Sequence, residues 1–267
     1  MAKLRSFNLN FYTSDAVTLA YSIYGEGTPI LFLAGYSGTT YSWSAQTDFF
    51  SQAGFQCIHL DKRGHGENTD ILSGLRISRL AQDIKELVTL LDIKHFHLVS
   101  HSLGAGVAYE YISLFGESDI LSLTVIDVPP KAINTDKWQL GMYNLTWHTI
   151  SETVANFSHV ALTAKKIETD LLRQMHQGHY KFNFLTTAPL VSDFLTKDYR
   201  DVLTTLTCPT LYIAGELSPL FPDKLTQYYQ ESNPHVTTFT AKECGHLPYA
   251  ESPEETNRVM VDFISKH

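Results

Sequence analysis

The sequence is short of cysteine, of positive charge and of long apolar runs, and each shortage narrows what the protein can be. Its three cysteines, Cys57, Cys208 and Cys244, are far apart and odd in number. That usage argues against a disulfide-stapled scaffold, shows none of the paired spacing of a zinc site, and reads as reduced thiols of a cytoplasmic protein. No run of about 18 apolar residues occurs, so no transmembrane helix is expected. The start, Met1 to Phe7, passes into alternating residues without the apolar centre of a secretory leader, so none is expected there. Lys and Arg number 20 against 28 Asp and Glu, a formal net charge of -8 that gives no reason to expect nucleic acid or an anionic membrane as partner. Internal repeats and low-complexity tracts are also missing.

What is present is the composition of a globular protein, with 43% hydrophobic and 18% charged residues. The 267 residues suffice for one large α/β domain, or one domain with an insertion. Two alternating runs, Ser6 to Tyr12 and Val17 to Tyr24, predict an antiparallel hairpin turned through Ser14 and Asp15. Continuous apolar runs at Pro29 to Ala34, Phe55 to Leu60, His95 to Val99, Leu121 to Ile126 and Pro209 to Gly215 have the character of strands covered on both faces. Val236 to Thr240 predicts one more strand. Helical spacing lies between them at Ser42 to Ala53, Ser78 to Leu91 and Leu220 to Gln230, and a closing helix is expected from Pro253 to Ile264. The alternation predicts a mainly parallel sheet with helices on both faces, with sites gathered at the carboxyl ends of the strands.

The alternation breaks between Lys131 and Asp198. That stretch reads as helical and carries Trp138, Tyr143, Trp147, Phe157, Tyr180, Phe182 and Phe184. The expected organisation is therefore a core of residues 1–130 and 199–267, with residues 131–198 inserted as a helical cap. Most of these aromatics are expected to fill the cap's own small core.

The chemistry centres on Ser100-His101-Ser102-Leu103-Gly104. It follows a buried run and opens a helix, so Ser102 stands on a sharp strand-to-helix turn, where small residues are needed two positions before and after it. Gly104 meets that need and Ser100 meets it less well. An ordinary junction in which Ser100 and Ser102 merely cap the helix is the competing reading. A serine hydroxyl needs a base to take its proton, and His246, late in the chain between the last strand and the last helix, is the candidate among 12 histidines.

Taken together, Ala34-Gly35-Tyr36, Asp61-Lys62-Arg63-Gly64-His65-Gly66, Ser102, Gly215-Glu216 and Gly245-His246 stand in an order that resembles the α/β-hydrolase superfamily over nearly the whole chain. The resemblance implies Ser102 as nucleophile, His246 as general base and then acid, and the backbone N–H groups of Tyr36 and Leu103 as the oxyanion hole. Ala34 stands where members often carry histidine. The usual acid position, three residues after Gly215, is Ser218, which cannot supply a negative charge. Some members take the acid from the strand after the elbow helix, which here gives Asp127; Glu216 and Asp223 compete with it, and Asp127 capping the turn into Pro129-Pro130 is a further alternative. Asp61 and Arg63 are assigned to bracing the loop beside the site.

The resemblance implies a serine hydrolase of small or medium esters, with the aromatic cap suggesting an apolar or aromatic group, as monomer or homodimer. No cofactor or metal is expected, and the expected partner is a small-molecule substrate. Two alternatives stay open: a cofactor-free ring-cleaving dioxygenase of the same fold that uses His and Asp as its base, and a ligand-binding member without turnover.

Overall fold

Among the described residues eight strands form one sheet: β1 (Phe7–Tyr12), β2 (Thr18–Tyr24), β3 (Thr28–Leu33), β4 (Phe55–Leu60), β5 (Phe96–His101), β6 (Ile120–Ile126), β7 (Thr210–Gly215) and β8 (Val236–Ala241). The computed structural model describes residues 7–177 and 181–267, which leaves Ser6 and Tyr180 outside. Their spatial order is β1-β2-β4-β3-β5-β6-β7-β8. The hairpin pairs antiparallel and β2 joins β4 antiparallel, while every pair from β4 to β8 is parallel. The reason lies in the side chains. All six residues of β5 and of β7 are buried, as continuous apolar strands require when helices cover both faces.

The helices are α1 (Ser44–Gln52), α2 (Ile77–Leu90), α3 (Leu103–Phe115), α4 (Ile150–Asn156), α5 (Thr169–Met175), α6 (Phe184–Leu195), α7 (Arg200–Thr205), α8 (Lys224–Ser232), α9 (Pro248–Glu251) and α10 (Pro253–Ile264). Helix α2 shows why they pack. Its Ile77, Leu80, Ile84, Leu87 and Val88 all lie inside, and each fully buried aliphatic side chain contributes roughly 1.5–3 kcal/mol. The core divides in two across the sheet, one cluster around α2 and α3 and the other around Trp43, Phe50, Tyr249 and Met260.

Between β6 and β7 the chain carries α4 to α7 and, among the described residues, no strand. Its two ends meet: Lys131 and Asp198 form an isolated antiparallel bridge, and their side chains pair at 3.1 Å. The aromatics of this stretch do not fill a private core. Phe157, Phe182 and Phe184 pack edge-on around Tyr36 at centroid distances of 5.4, 5.3 and 5.7 Å. Trp138 packs on Tyr228, whereas Tyr143 and Trp147 are about half exposed. Helix α8 starts at Lys224, four residues later than the spacing at Leu220 predicts, because Asp223 accepts the Lys224 N–H and caps it there.

Buried charge holds the loop after β4. The Arg63 guanidinium is fully buried and donates to Asp83 through Nε and Nη2 at 2.7 and 2.8 Å and to both Asp15 oxygens at 2.8 Å. Breaking such a pair leaves an uncompensated charge inside, so this cross-link fixes the hairpin turn to α2. Asp61 accepts from the Thr40 N–H at 2.7 Å and from the Glu67 N–H at 3.1 Å.

Candidate functional site

The carboxyl ends of β3, β5 and β6, together with the loops after β7 and β8, converge on one edge. Ser102 follows β5 directly with φ 52° and ψ -123°, a left-handed backbone in a residue that has a side chain. It occupies the helix N-cap position, yet its hydroxyl makes no capping bond, so the capping alternative is not realised. The turn is enforced from both sides. A Cβ on Gly104 would stand 2.2 Å from the Leu33 carbonyl oxygen, so only glycine lets α3 approach β3 this closely. Ser100 fits two residues earlier because its hydroxyl donates to the Thr124 carbonyl at 2.8 Å, which satisfies a buried polar group.

His246 sits on the loop between β8 and α9, 2% exposed. Its Nδ1 donates to Asp127 Oδ2 at 2.7 Å, since a carboxylate only accepts, and in the neutral imidazole this places the lone pair on Nε2. Asp127 follows β6 with φ 46° and is 1% exposed. Its Oδ1 accepts from the Gly215 N–H at 3.0 Å, and its Oδ2 also accepts from the Ser218 hydroxyl at 2.6 Å. Among the described residues, the polar contacts of this carboxylate thus come from the end of β7, the turn after it and the histidine.

The competing acids point elsewhere. Glu216 pairs with Lys242 at 2.7 Å and accepts the Glu243 N–H at 2.9 Å, while Asp223 caps α8. The sequence singled out neither His101 nor Ser218 as a partner of the pair. His101 donates from Nε2 to the His246 carbonyl at 2.9 Å and packs on the His246 ring at 4.5 Å between centroids. Burial holds its pKa well below the usual histidine range, so it stays neutral beside His246.

Ser102 and His246 line one cavity of about 390 Å³ together with Gly35 and Tyr36. Much of the wall comes from the stretch between β6 and β7: Phe157, Leu162, Ile167, Leu172 and Met175 supply apolar surface, and Lys166 stands at the rim. The N–H groups of Tyr36 and Leu103 make no hydrogen bond among the described residues, while the neighbouring Ser37 N–H is taken by His65 Nε2 at 3.2 Å. Behind this loop the buried Lys62 ammonium donates to the Gly38 carbonyl at 3.0 Å, its pKa pushed down to about 8 by burial. Among the described residues no cluster of His, Cys, Asp and Glu could hold a metal ion, and no helix is long and apolar enough to cross a membrane.

Comparison with known proteins gives a consistent result. Residues 28–253 match the sequence model of the alpha/beta hydrolase fold family. A non-heme chloroperoxidase from Kitasatospora aureofaciens is 32% identical over 126 residues, which is 47% of this chain and 46% of that protein. A bifunctional esterase/perhydrolase from Acinetobacter calcoaceticus is 29% identical over 127 residues, 46% of each chain. Both matches therefore span about half of the relative's length. In three dimensions an esterase from Exiguobacterium antarcticum superposes with a TM-score of 0.87 at 20% identity, covering 97% of this chain and 100% of the other, and so shares the fold. With the family's model matched from β3 to the start of α10, this chain belongs to the alpha/beta hydrolase fold family of enzymes.

Proposed function

We propose that this enzyme is a serine hydrolase of small or medium carboxylic esters that carry an apolar or aromatic group, working through an acyl-enzyme on Ser102. The observation that carries the reading is the buried 2.7 Å bond from His246 Nδ1 to Asp127, on the cavity that Ser102 also lines. In this reading His246 Nε2 takes the Ser102 proton as Oγ attacks the ester carbonyl carbon. The developing oxyanion is held by the free N–H groups of Tyr36 and Leu103. The alcohol leaves with the proton from His246, and a water activated by the same nitrogen releases the acid and restores Ser102. Asp127 fixes the histidine tautomer and stabilises its cation, with Ser218 and the Gly215 amide holding the carboxylate in place. Residues 131–198 serve as the cap, since they supply most of the apolar wall. The relative described as an esterase/perhydrolase fits acyl-enzyme chemistry.

Intact mass after treatment with a small fluorophosphonate tests this directly. A single adduct on the wild type, absent from Ser102→Ala, is expected, together with loss of aryl-ester hydrolysis in that variant. No adduct on either protein overturns the acyl-enzyme reading, and oxygen uptake with a hydroxyquinolone then tests the dioxygenase reading, which uses the same His–Asp pair.

A further inference from the structure

Five residues beyond His246, Glu251 ends the short helix α9 with its side chain folded back under the histidine loop, 8% exposed. Among the described residues its carboxylate pairs with no cationic side chain. Instead it collects backbone amides. Oε2 accepts from the N–H groups of Ala164 and Lys165, both at 2.7 Å, and from Gly245 at 2.9 Å, while Oε1 accepts from Gly245 at 3.0 Å and Leu247 at 3.1 Å. Gly245 and Leu247 flank His246 on either side. Ala164 and Lys165 belong to the stretch whose Leu162, Thr163 and Lys166 line the cavity.

The backbone of His246 itself is held as well. The His246 N–H donates to the Leu162 carbonyl at 2.7 Å, and the His246 carbonyl accepts from His101. A Cβ on Gly245 would lie 2.6 Å from the Leu162 carbonyl oxygen and 2.7 Å from the Ala164 nitrogen, so the two segments meet backbone to backbone. Charge-assisted bonds to N–H groups are stronger than neutral ones, and a single carboxylate shared by four amides fixes all four relative to one another. Asp127 holds the imidazole ring itself, at Nδ1. Glu251 holds the main chain from which the imidazole springs.

We propose that Glu251 is a positioning residue that sets where His246 stands by clamping Gly245 and Leu247, and that it locks this position to the cavity wall at Ala164 and Lys165. The inference rests on the reading of Ser102 and His246 as nucleophile and base, because a base displaced from the serine loses its effect on rate.

Glu251→Gln separates positioning from simple support. The amide keeps the size of the side chain, and its one oxygen serves the three donors at Oε2, so the wall stays anchored. Its NH₂ group then faces the Leu247 N–H and the second contact of Gly245, donor against donor, so Leu247 is released and Gly245 is held by the oxygen alone. The expected result is a kcat lower by roughly 10- to 100-fold, the scale of a displaced catalytic group. KM should stay within about twofold, the pattern of an interaction felt in the transition state. Fluorophosphonate labelling of Ser102 should slow by the same factor as kcat, and the low-field proton resonance of His246 Nδ1–H should broaden or shift. A variant with wild-type kcat and an unmoved resonance, melting at a lower temperature, overturns the proposal and leaves Glu251 as support for the fold. If Glu251→Gln does not fold, Glu251→Asp keeps the charge on a shorter stem and carries the same comparison. Failure of the wild type to label would overturn the acyl-enzyme reading alone, since the His246 resonance reports the clamp without turnover.

Discussion

Ser218 donates a 2.6 Å hydrogen bond to the same Asp127 oxygen that accepts the His246 Nδ1 proton at 2.7 Å. The serine at the usual acid position therefore donates to the carboxylate that follows β6. Asp127→Asn is expected to lower kcat by roughly 10⁴-fold, as loss of the orienting charge does in serine proteases. Ser218→Ala should cost far less, and Glu216→Gln should leave the rate nearly unchanged. The decisive variant is the transposition Asp127→Ser with Ser218→Asp, which should recover part of the rate lost by Asp127→Asn in steady-state ester hydrolysis. No recovery would mean that the carboxylate cannot reach His246 from the β7 turn.

The elbow makes a stability prediction. Gly104→Ala drives a methyl group against the Leu33 carbonyl, 2.2 Å away, so α3 must retreat from β3. A loss of roughly 1–3 kcal/mol is expected from such overpacking, read as a lower urea midpoint. Ester turnover should fall as well, because the Leu103 N–H moves with the helix.

Tyr36 separates side chain from backbone. Its hydroxyl bonds with Thr187 Oγ1 at 2.8 Å, and its ring sits among Phe157, Phe182 and Phe184. Tyr36→Phe removes the contacts with Thr187 Oγ1 and the Phe184 carbonyl and should cost about 1 kcal/mol, with kcat little changed because the proposed oxyanion donor is the amide. Tyr36→Ala should lower kcat and raise KM together, since the stretch that walls the cavity loses its packing on the loop after β3.

Buried histidines set the response to acid. Burial lowers the pKa of His59 to about 3 and of His97 to about 4, against 6.5 for the free side chain. The folded values lie below the unfolded one, so the stability they allow is complete above pH 6.5 and is lost as pH falls toward 4 and then 3. Each such histidine removes about 1.4 kcal/mol per pH unit in that window, or about 2 kcal/mol by pH 5. Urea unfolding at pH 7 and pH 5 should show the fall. His97→Gln, which keeps a partner for Ser122, should make the difference smaller by about 2 kcal/mol.

Periodicity made the sheet readable. The runs at Phe55 to Leu60 and Pro253 to Ile264 coincide with β4 and α10, and the other buried strands agree within about two residues, because continuous apolar runs have few alternatives once both faces are covered. The pairing of Asp127 with His246 was legible only through the resemblance to the α/β-hydrolase superfamily, since strand-end placement alone left Glu216 and Asp223 in competition. What stayed hidden were contacts made through the main chain. Among the described residues Glu251 binds only backbone amides, and those at Ala164 and Lys165 lie more than 80 residues away in sequence, so no side-chain pattern announces it. The aromatics between β6 and β7 were misassigned for a related reason: composition shows that Phe157, Phe182 and Phe184 need burial, not that Tyr36 of another segment would provide it.

The Lys131–Asp198 bridge gives the stretch between β6 and β7 a narrow neck, with both strands of chain entering and leaving at one point. Such a neck makes whatever hangs from it exchangeable. A different excursion of almost any length could be grafted there at a loop-closure cost that grows only slowly with its size, while the eight strands below keep their register. The same neck makes a defined excision possible, joining Lys131 to Asp198 through a short glycine turn. It marks where this scaffold could be refitted for other molecules, and any replacement has to offer His246 and Glu251 the backbone partners that Leu162, Ala164 and Lys165 now supply.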